Sequence, residues 1–398
     1  MINVENNICL MKTILKALKI LIRSQFTFRK PIKKKIVIFD KKSEIYISDL
    51  FEKNEFEILD TSYKIINVFI ILKLILNFKK INYINYFSEI IKAMSPSYIF
   101  TFIDNNLGFY KLKEKFKDIN FIAIQNGTRF ITGDILEILE KNEKKYSIDY
   151  YFAFNDSYSN ILKKYINGNY KTIGSYKNNF FNISKNYNKG TICFISRMSD
   201  IFLEYSKTKK IEKFKKKYSF WEIELLKFVR ELLKNINYYC EKNNLVINIL
   251  GSSPKPNLEK FFFQDIFNQN DFNFIPKKRK YDSYKKIDQF EICINPMSTF
   301  GYEAISRGKK VCFFSGDFIK GSRFTWPLDF PEKGNFFSNS NTYEEVNRIL
   351  SYLTKVDDKS WDIESLAFKN KLFFHDKNNS IVKKFLTEKN ITKKWKKA

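Results

Sequence analysis

Five times in the first half of the chain a short apolar run gives way abruptly to Asp, Asn, Gln, Ser or Gly, and the pattern then restarts. Lys35-Ile36-Val37-Ile38-Phe39 ends at Asp40, and Tyr98-Ile99-Phe100-Thr101-Phe102-Ile103 ends at Asp104-Asn105-Asn106. Phe121-Ile122-Ala123-Ile124 runs into Gln125-Asn126-Gly127-Thr128-Arg129, Tyr150-Tyr151-Phe152-Ala153-Phe154 into Asn155-Asp156-Ser157, and Lys171-Thr172-Ile173 into Gly174-Ser175. Runs this short and this apolar are buried strands. The amphipathic stretches between them are helices, so the pattern predicts βα units around a mainly parallel sheet. Polar and Gly residues after each strand are what the ligand-binding edge of an open α/β sheet requires. Residues 178–190 are polar and lack a clear period, which predicts a linker. Beyond it the alternation resumes. Thr191-Ile192-Cys193-Phe194-Ile195 ends at Ser196-Arg197, a long helix is expected from about Phe220 to Asn243, and Leu245-Val246-Ile247-Asn248-Ile249-Leu250 ends at Gly251-Ser252-Ser253. Glu291-Ile292-Cys293-Ile294 leads to Asn295-Pro296-Met297-Ser298-Thr299, a short helix to Arg307 and Gly308, and a further strand from Lys310 to Phe314. The expected architecture is α/β, with two βα domains (31–180 and 190–355) facing a cleft, an N-terminal segment 1–30 and a helical, basic C-terminal segment 356–398.

With 398 residues and 44% hydrophobic side chains there is material for two packed cores, which excludes general disorder. The net charge of +27 would ordinarily point to nucleic acid or an anionic membrane. Lys, Asn, Ile, Phe and Tyr are all abundant, however, while Gly and Pro are scarce, a bias that an A+T-rich genome produces through codon supply alone. Five cysteines without a CxxC pair, and His375 as the only histidine, argue against a zinc site or a disulfide framework and for a reduced, cytoplasmic setting. Chemistry then falls to carboxylates or to binding alone. The N-terminus lacks the features of a secretory signal. Lys12, Lys16, Lys19 and Arg23 fall opposite Met11, Ile14, Leu15, Leu18, Leu21 and Ile22 on a helix, which would suit either an anionic membrane surface or the face of the first sheet. The apolar run 65–78, interrupted by Asn67, Lys73 and Asn77, is shorter than the ~20 residues needed to span a bilayer. The basic tail Lys393-Lys394-Trp395-Lys396-Lys397 reads as solvated or surface-binding.

The densest local signal lies at residues 295–311. A strand ends, a Ser-Thr-x-Gly turn opens a helix, and Glu303 follows one turn in. Backbone N–H groups at a helix start bind phosphate oxygens with help from the helix dipole, and Gly301 would let a ligand approach the backbone. Glu303 is then placed to accept hydrogen bonds from ribose hydroxyls. The same spacing equally fits a Ser298 or Thr299 cap with Glu303 facing solvent. Arg197, directly after the first strand of the second domain, is placed to neutralise donor phosphates, and Gly251 and Ser252 to pack against a base or phosphate. Asp104, at the end of a strand facing the expected cleft, is the first candidate for a general base, with Asp40 and Asp134 behind it. The other reading of Asp104 is an Asx turn. Arg129 and Arg323 are candidate contacts for an acidic substrate. No Asp-x-Asp and no Gly-rich phosphate-loop motif occurs, so metal-independent chemistry without a cofactor is expected.

These segments together resemble a family. Residues 298–311 look like the donor-site segment of GT-B bacterial transferases. With Phe102-Ile103-Asp104-Asn105-Asn106, Ile124-Gln125-Asn126-Gly127-Thr128-Arg129, Ile173-Gly174-Ser175 with Asn178-Asn179, and Trp326-Pro327 followed by Gly334, the chain resembles the bacterial surface-carbohydrate biosynthesis transferases over about residues 33–355. It is similar, more distantly, to capsular Kdo transferases and CDP-glycerol glycerophosphotransferases. The resemblance implies a GT-B-like fold of two Rossmann-like domains. It implies a nucleotide-sugar donor on the C-terminal domain, held by Arg197, Gly251, Ser252, Ser298, Thr299, Gly301 and Glu303. It implies a glycan or lipid-linked acceptor on the N-terminal domain, near Gln125, Arg129 and Asp40, with Asp104 and Asn126 at the catalytic centre. Some relatives carry His in a Gln-His-Gly turn where this chain has Gln125-Asn126-Gly127, and a neutral amide cannot serve as a base. The expected activity is glycosyl transfer from a nucleotide sugar. Polyol-phosphate transfer and a non-enzymatic, nucleic-acid-binding role on the basic surface are the alternatives. The lysines are scattered, Lys277-Lys278-Arg279-Lys280 reading as a solvated face, so no nucleic-acid partner is expected. Localisation is expected to be cytoplasmic, with peripheral contact at the inner membrane face.

Overall fold

The computed structural model describes residues 22–129, 134–142, 144–184, 186–267, 272–296, 298–316, 333–372, 374–392 and 394–395. Most of the N-terminal amphipathic helix, Arg323 and Trp326-Pro327 lie outside them. A parallel pair, β1 (Gln25–Thr27) with β4 (Ile65–Asn67), stands apart from two larger sheets.

The first large sheet has six parallel strands: β2 (Ile36–Phe39), β3 (Phe56–Leu59), β5 (Tyr98–Thr101), β6 (Asn120–Ile124), β7 (Tyr146–Ala153) and β8 (Ile166–Thr172), in the order β3-β2-β5-β6-β7-β8. Every residue of β2 is buried, as expected of a central strand covered on both faces. One face packs Val37, Phe39, Ile99, Phe121 and Ala123 against the helices Val68–Leu76, Tyr83–Met94 and Leu107–Lys113. The other packs Ile36, Ile38, Phe100 and Ile122 against Val382, Phe385 and Leu386 of the helix Ser380–Glu388, which returns from the far end of the sequence. Lys393 lies outside the described residues. The expectation of a solvated tail is nonetheless corrected by the residues on either side of it. Ile391 and Thr392 are buried, the Trp395 indole donates to the Leu50 carbonyl oxygen at 2.9 Å, and Lys383 sits over the Trp395 ring.

The second sheet comprises β9 (Asn188–Ile195), β10 (Ile247–Leu250), β11 (Phe272–Ile275), β12 (Phe290–Asn295), β13 (Lys310–Phe314), β14 (Lys333–Gly334) and β15 (Phe337–Ser338), in the order β11-β10-β9-β12-β13-β15-β14. Its strands are parallel except for the short β14. The helix Phe220–Lys242 begins with a complete Ser219/Glu222 capping box and buries Leu226, Val229, Leu233 and Ile236 against this sheet. Cys193, Cys293 and Cys312 are buried, free thiols inside these strands. In each sheet the chain moves outward first to one side and then to the other. The strand order therefore reverses between β2 and β5 in the first sheet and between β9 and β12 in the second. Crevices at the carboxyl ends of strands open at such reversals. Here they face each other.

Candidate functional site

A cavity of about 540 Å³ lies where the two carboxyl edges meet. From the first domain it is lined by Tyr46, Asn105, the turn 126–129, Asp134 and Lys177. From the second it is lined by Ser196 and Arg197 after β9, Gly251 and Ser252 after β10, Lys277 and Lys280 after β11, and Ser298, Thr299 and Glu303 after β12. Most of the residues singled out in the sequence therefore converge on one space, although they come from six different strand ends.

The helix Thr299–Ser306 opens at the cavity. Ser298 caps it, its Oγ accepting from Phe300 N at 3.2 Å, while Asn295 Oδ1 accepts from Ser298 N at 2.8 Å. Glu303 is buried and does not face solvent. Its carboxylate accepts from Ser175 Oγ of the first domain and from Tyr284 OH at 2.6 Å. Burial, reinforced by that carboxylate, pushes the Tyr284 phenol well above its ordinary pKa and keeps it a donor. Two hydrogen bonds fix the Glu303 plane while leaving lone pairs toward the cavity. Thr128 N donates to Thr299 Oγ1 at 3.0 Å, a second bridge between the domains. Gly301 serves a different purpose from the one expected: a Cβ there would lie 2.1 Å from Asn295 Cγ, so its missing side chain admits Asn295, not a ligand.

The Gly251-Ser252-Ser253 turn also departs from expectation. Its amides already hold an anion, Glu259, which is fully buried on the helix Pro256–Gln264. Glu259 accepts from Ser252 N at 2.9 Å, Ser253 N at 2.9 Å and Ser196 Oγ at 2.5 Å. Ser252 lines the cavity, but its N–H points to Glu259 and its Oγ accepts from Met198 N at 3.0 Å. Sequence reasoning missed Glu259, whose signal is a lone carboxylate in the helix that follows the turn.

On the first domain Asp104 is neither exposed nor in the cavity wall. Its carboxylate accepts from Arg129 Nε at 2.8 Å and from Arg129 Nη2, from Asn126 N at 3.0 Å and from Tyr151 OH at 2.6 Å. A carboxylate so fully engaged with a buried guanidinium positions the 126–129 turn; the geometry argues against a base there. Arg129 also donates to Asn126 Oδ1 at 2.8 Å and lies 3.6 Å from Asp134. Gln125 is withdrawn as an acceptor contact, because its amide is spent on Gly127 O and Phe154 N and it does not reach the cavity. Asp40 is withdrawn too: it caps the helix Lys41–Ile47, accepting from Lys42 N and Thr61 Oγ1 at 2.7 Å each. Asp134 does line the cavity, its Oδ1 accepting from Ile135 N at the start of a helix. Arg197 reaches the cavity from the second domain, with Asp134 as its electrostatic neighbour; burial pushes its guanidinium pKa down. His375 lies elsewhere, with Nε2 3.0 Å from Phe181 O.

Residues 122–390 match the family Lept_O_ant_chp1, described as "putative O-antigen biosynthesis protein". No curated protein matches the sequence. Among solved structures the chain is similar to UDP-GlcNAc 2-epimerase of Methanocaldococcus jannaschii, in complex with UDP-GlcNAc and UDP: TM-score 0.51, 13% identity, 90% of this chain and 100% of that one. It is similar in the same way to S. aureus MnaA in a co-structure with UDP, with TM-score 0.51, 12% identity, 90% and 98% coverage. These likenesses establish the GT-B fold with its two Rossmann-like domains.

Proposed function

The chain belongs to the O-antigen biosynthesis family, making it a GT-B-type protein of surface-carbohydrate biosynthesis, and from that premise we propose that it is a glycosyltransferase using a nucleotide-sugar donor. The observation that carries this reading is the convergence of Arg197, Ser298, Thr299 and Glu303 from one domain with Asn126, Arg129 and Asp134 from the other on a single cavity at both strand-order reversals. Both solved structures above hold UDP, which supports the choice of donor class.

In this mechanism the donor ribose hydroxyls bond to Glu303, and Arg197 with the first turn of the helix Thr299–Ser306 meets the negative charge of the diphosphate. An acceptor hydroxyl approaches from the first domain and gives its proton to Asp134. Its oxygen then bonds to the anomeric carbon as the bond from that carbon to the phosphate oxygen breaks. Glu303→Ala is expected to weaken UDP binding about 10- to 100-fold, the loss of a charged hydrogen-bond acceptor. Asp134→Asn is expected to leave UDP affinity unchanged while turnover falls at least about 100-fold. Calorimetry and product assay separate the two, and unchanged affinity in Glu303→Ala would remove the donor site. Polyol-phosphate transfer would use the same cradle, so product analysis discriminates it.

The acceptor is proposed to be lipid-linked and met at an anionic membrane surface. The helix Val68–Leu76 and the turn after it leave Leu72, Ile75, Leu76 and Phe78 exposed, Phe78 at 99%, beside Lys73, Lys79 and Lys80. Lys73 and Lys79 share the buried Glu89, so the patch stays cationic. Among the described residues no helix is long and apolar enough to cross a membrane. The exposed face instead fits shallow interfacial insertion. Co-sedimentation with phosphatidylglycerol vesicles is expected for the wild type and to drop several-fold in Leu76→Asp/Phe78→Asp; equal binding by both would exclude this face.

A further inference from the structure

The lysine run after β11 is a solvated face at residues 277–279, as expected, but two of its members border the cavity, and Lys280 is half-buried. Lys277 and Lys280 line the cavity together with Lys177, from the segment after β8, and Tyr46. Lys280 Nζ stands 4.8 Å from the centre of the Tyr46 ring, and Lys177 Nζ stands 5.8 Å from the same centre. Lys177 donates to Asn126 O at 3.1 Å and Lys280 to Ile45 O, both neutral backbone acceptors. None of the three lysines forms an ion pair with a described residue. The carboxylate acting most strongly on Lys177 is Glu303, already engaged by Ser175 and Tyr284. Burial, with the neighbouring Lys277 ammonium adding to it, holds Lys177 below the ordinary lysine range, and burial lowers Lys280 likewise. Arg197, by contrast, has Asp134 beside it.

Two ammonium groups over one aromatic ring, with that of Lys277 lining the same concavity, repel one another; Glu303 and Asp49 act on them without forming an ion pair, so an anion entering between them brings relief. The ring contributes little negative charge of its own. We propose that the cavity holds a second anion subsite, formed by Lys177 and Lys280 at Tyr46 with Lys277 on the same wall, that takes a carboxylate or phosphate on the glycan side of the substrate, so that the protein selects an acidic sugar unit or acceptor. The subsite rests on the transferase reading only for what carries the anion; the site itself stands on the lysine geometry.

The test is thermal stabilisation by inorganic phosphate at constant ionic strength, with glucose as the neutral control. The wild type is expected to be stabilised by phosphate and not by glucose. In Lys177→Ala/Lys280→Ala the phosphate shift is expected to fall at least about threefold, while it persists in Arg197→Ala. Lys280→Ala alone, at a partly exposed position, is expected to show a smaller loss in the same direction and serves if the double variant does not fold. A phosphate response lost in Arg197→Ala but untouched by the lysine substitutions overturns the subsite and leaves the donor reading standing. Failure of UDP to stabilise the wild type defeats the donor reading alone, and the subsite then stands or falls on the phosphate response. UDP-glucuronate and UDP-glucose then locate the source. Preference for UDP-glucuronate of about tenfold, abolished by the lysine substitutions, assigns the carboxylate to the transferred sugar. Equal affinities, with the phosphate effect intact, assign the anion to the acceptor.

Discussion

Asp104→Ala is expected to destabilise the protein by about 3–5 kcal/mol, because it leaves the buried Arg129 guanidinium with its longer, 3.6 Å contact to Asp134 and without its close ion pair. The same substitution strands Tyr151 OH and Asn126 N, both of which donate to that carboxylate. Arg129 is only 4% exposed, so water cannot take over the lost interaction. Denaturant titration reads the effect directly. Removing both charges together, as in Asp104→Leu/Arg129→Met, is expected to recover much of the loss, since a buried pair replaced by apolar groups is often neutral. The experiment also decides what Asp104 does. A loss below about 1 kcal/mol, with nucleotide affinity intact and turnover abolished, would return Asp104 to the role of base that its position after a strand first suggested.

Arg307→Ala is expected to have a comparable effect for a different reason. The Arg307 side chain is buried just past the end of the helix Thr299–Ser306. It makes a forked pair with Asp288 and reaches Asn178 Oδ1 at 3.0 Å and Asn182 O at 2.8 Å. Asp288 belongs to the second domain and Asn178 to the segment that joins the two, so one guanidinium pins the linker to the donor half. About 3–5 kcal/mol of stability is expected to be lost, with faster proteolysis within residues 178–187 and weaker nucleotide binding as the two edges drift apart. Arg307→Lys is expected to rescue little, because an ammonium cannot reproduce a planar fork that contacts five oxygens, the fifth being Phe181 O at 3.5 Å. Rescue by Lys would mean that charge alone, not geometry, holds the linker.

Much of the scaffold can be read in the chain because parallel strands buried on both faces are written as nearly continuous apolar runs. β2, β5, β6, β9, β12 and β13 all announce themselves that way. β8 begins at Ile166, earlier than its apolar end suggests. Its Asn167, Gly168 and Asn169 lie on an exposed edge, where no apolar run is required. The edge strand β3 is hidden by its length instead, four half-buried to buried residues interrupted by Glu57. At the site, residue types after strand ends point to the cleft, but which charges neutralise one another is a matter of three-dimensional proximity. Asp104 finds Arg129 across two strand ends, Glu259 fills the amides after β10 that sequence reading leaves for a ligand, and Lys277 and Lys280 border a cavity that periodicity cannot see. Trp395, surrounded by lysines, carries no pattern that reveals the groove into which its indole fits.

The returning helix Ser380–Glu388 has a bearing on how the protein comes to exist. Half of the first sheet is roofed by side chains that leave the ribosome only after the entire second sheet has been translated. The amino-terminal half therefore cannot finish folding as an autonomous unit in the usual vectorial order, and the face of Ile36, Ile38, Phe100 and Ile122, covered within the first domain by Ile47, Leu50, Phe51 and Tyr176, stays incompletely covered until that helix emerges. Emergence of that helix, rather than completion of the first half, is then the moment at which the first sheet becomes native, and nascent chains stalled short of residue 380 should be the ones that chaperones retain.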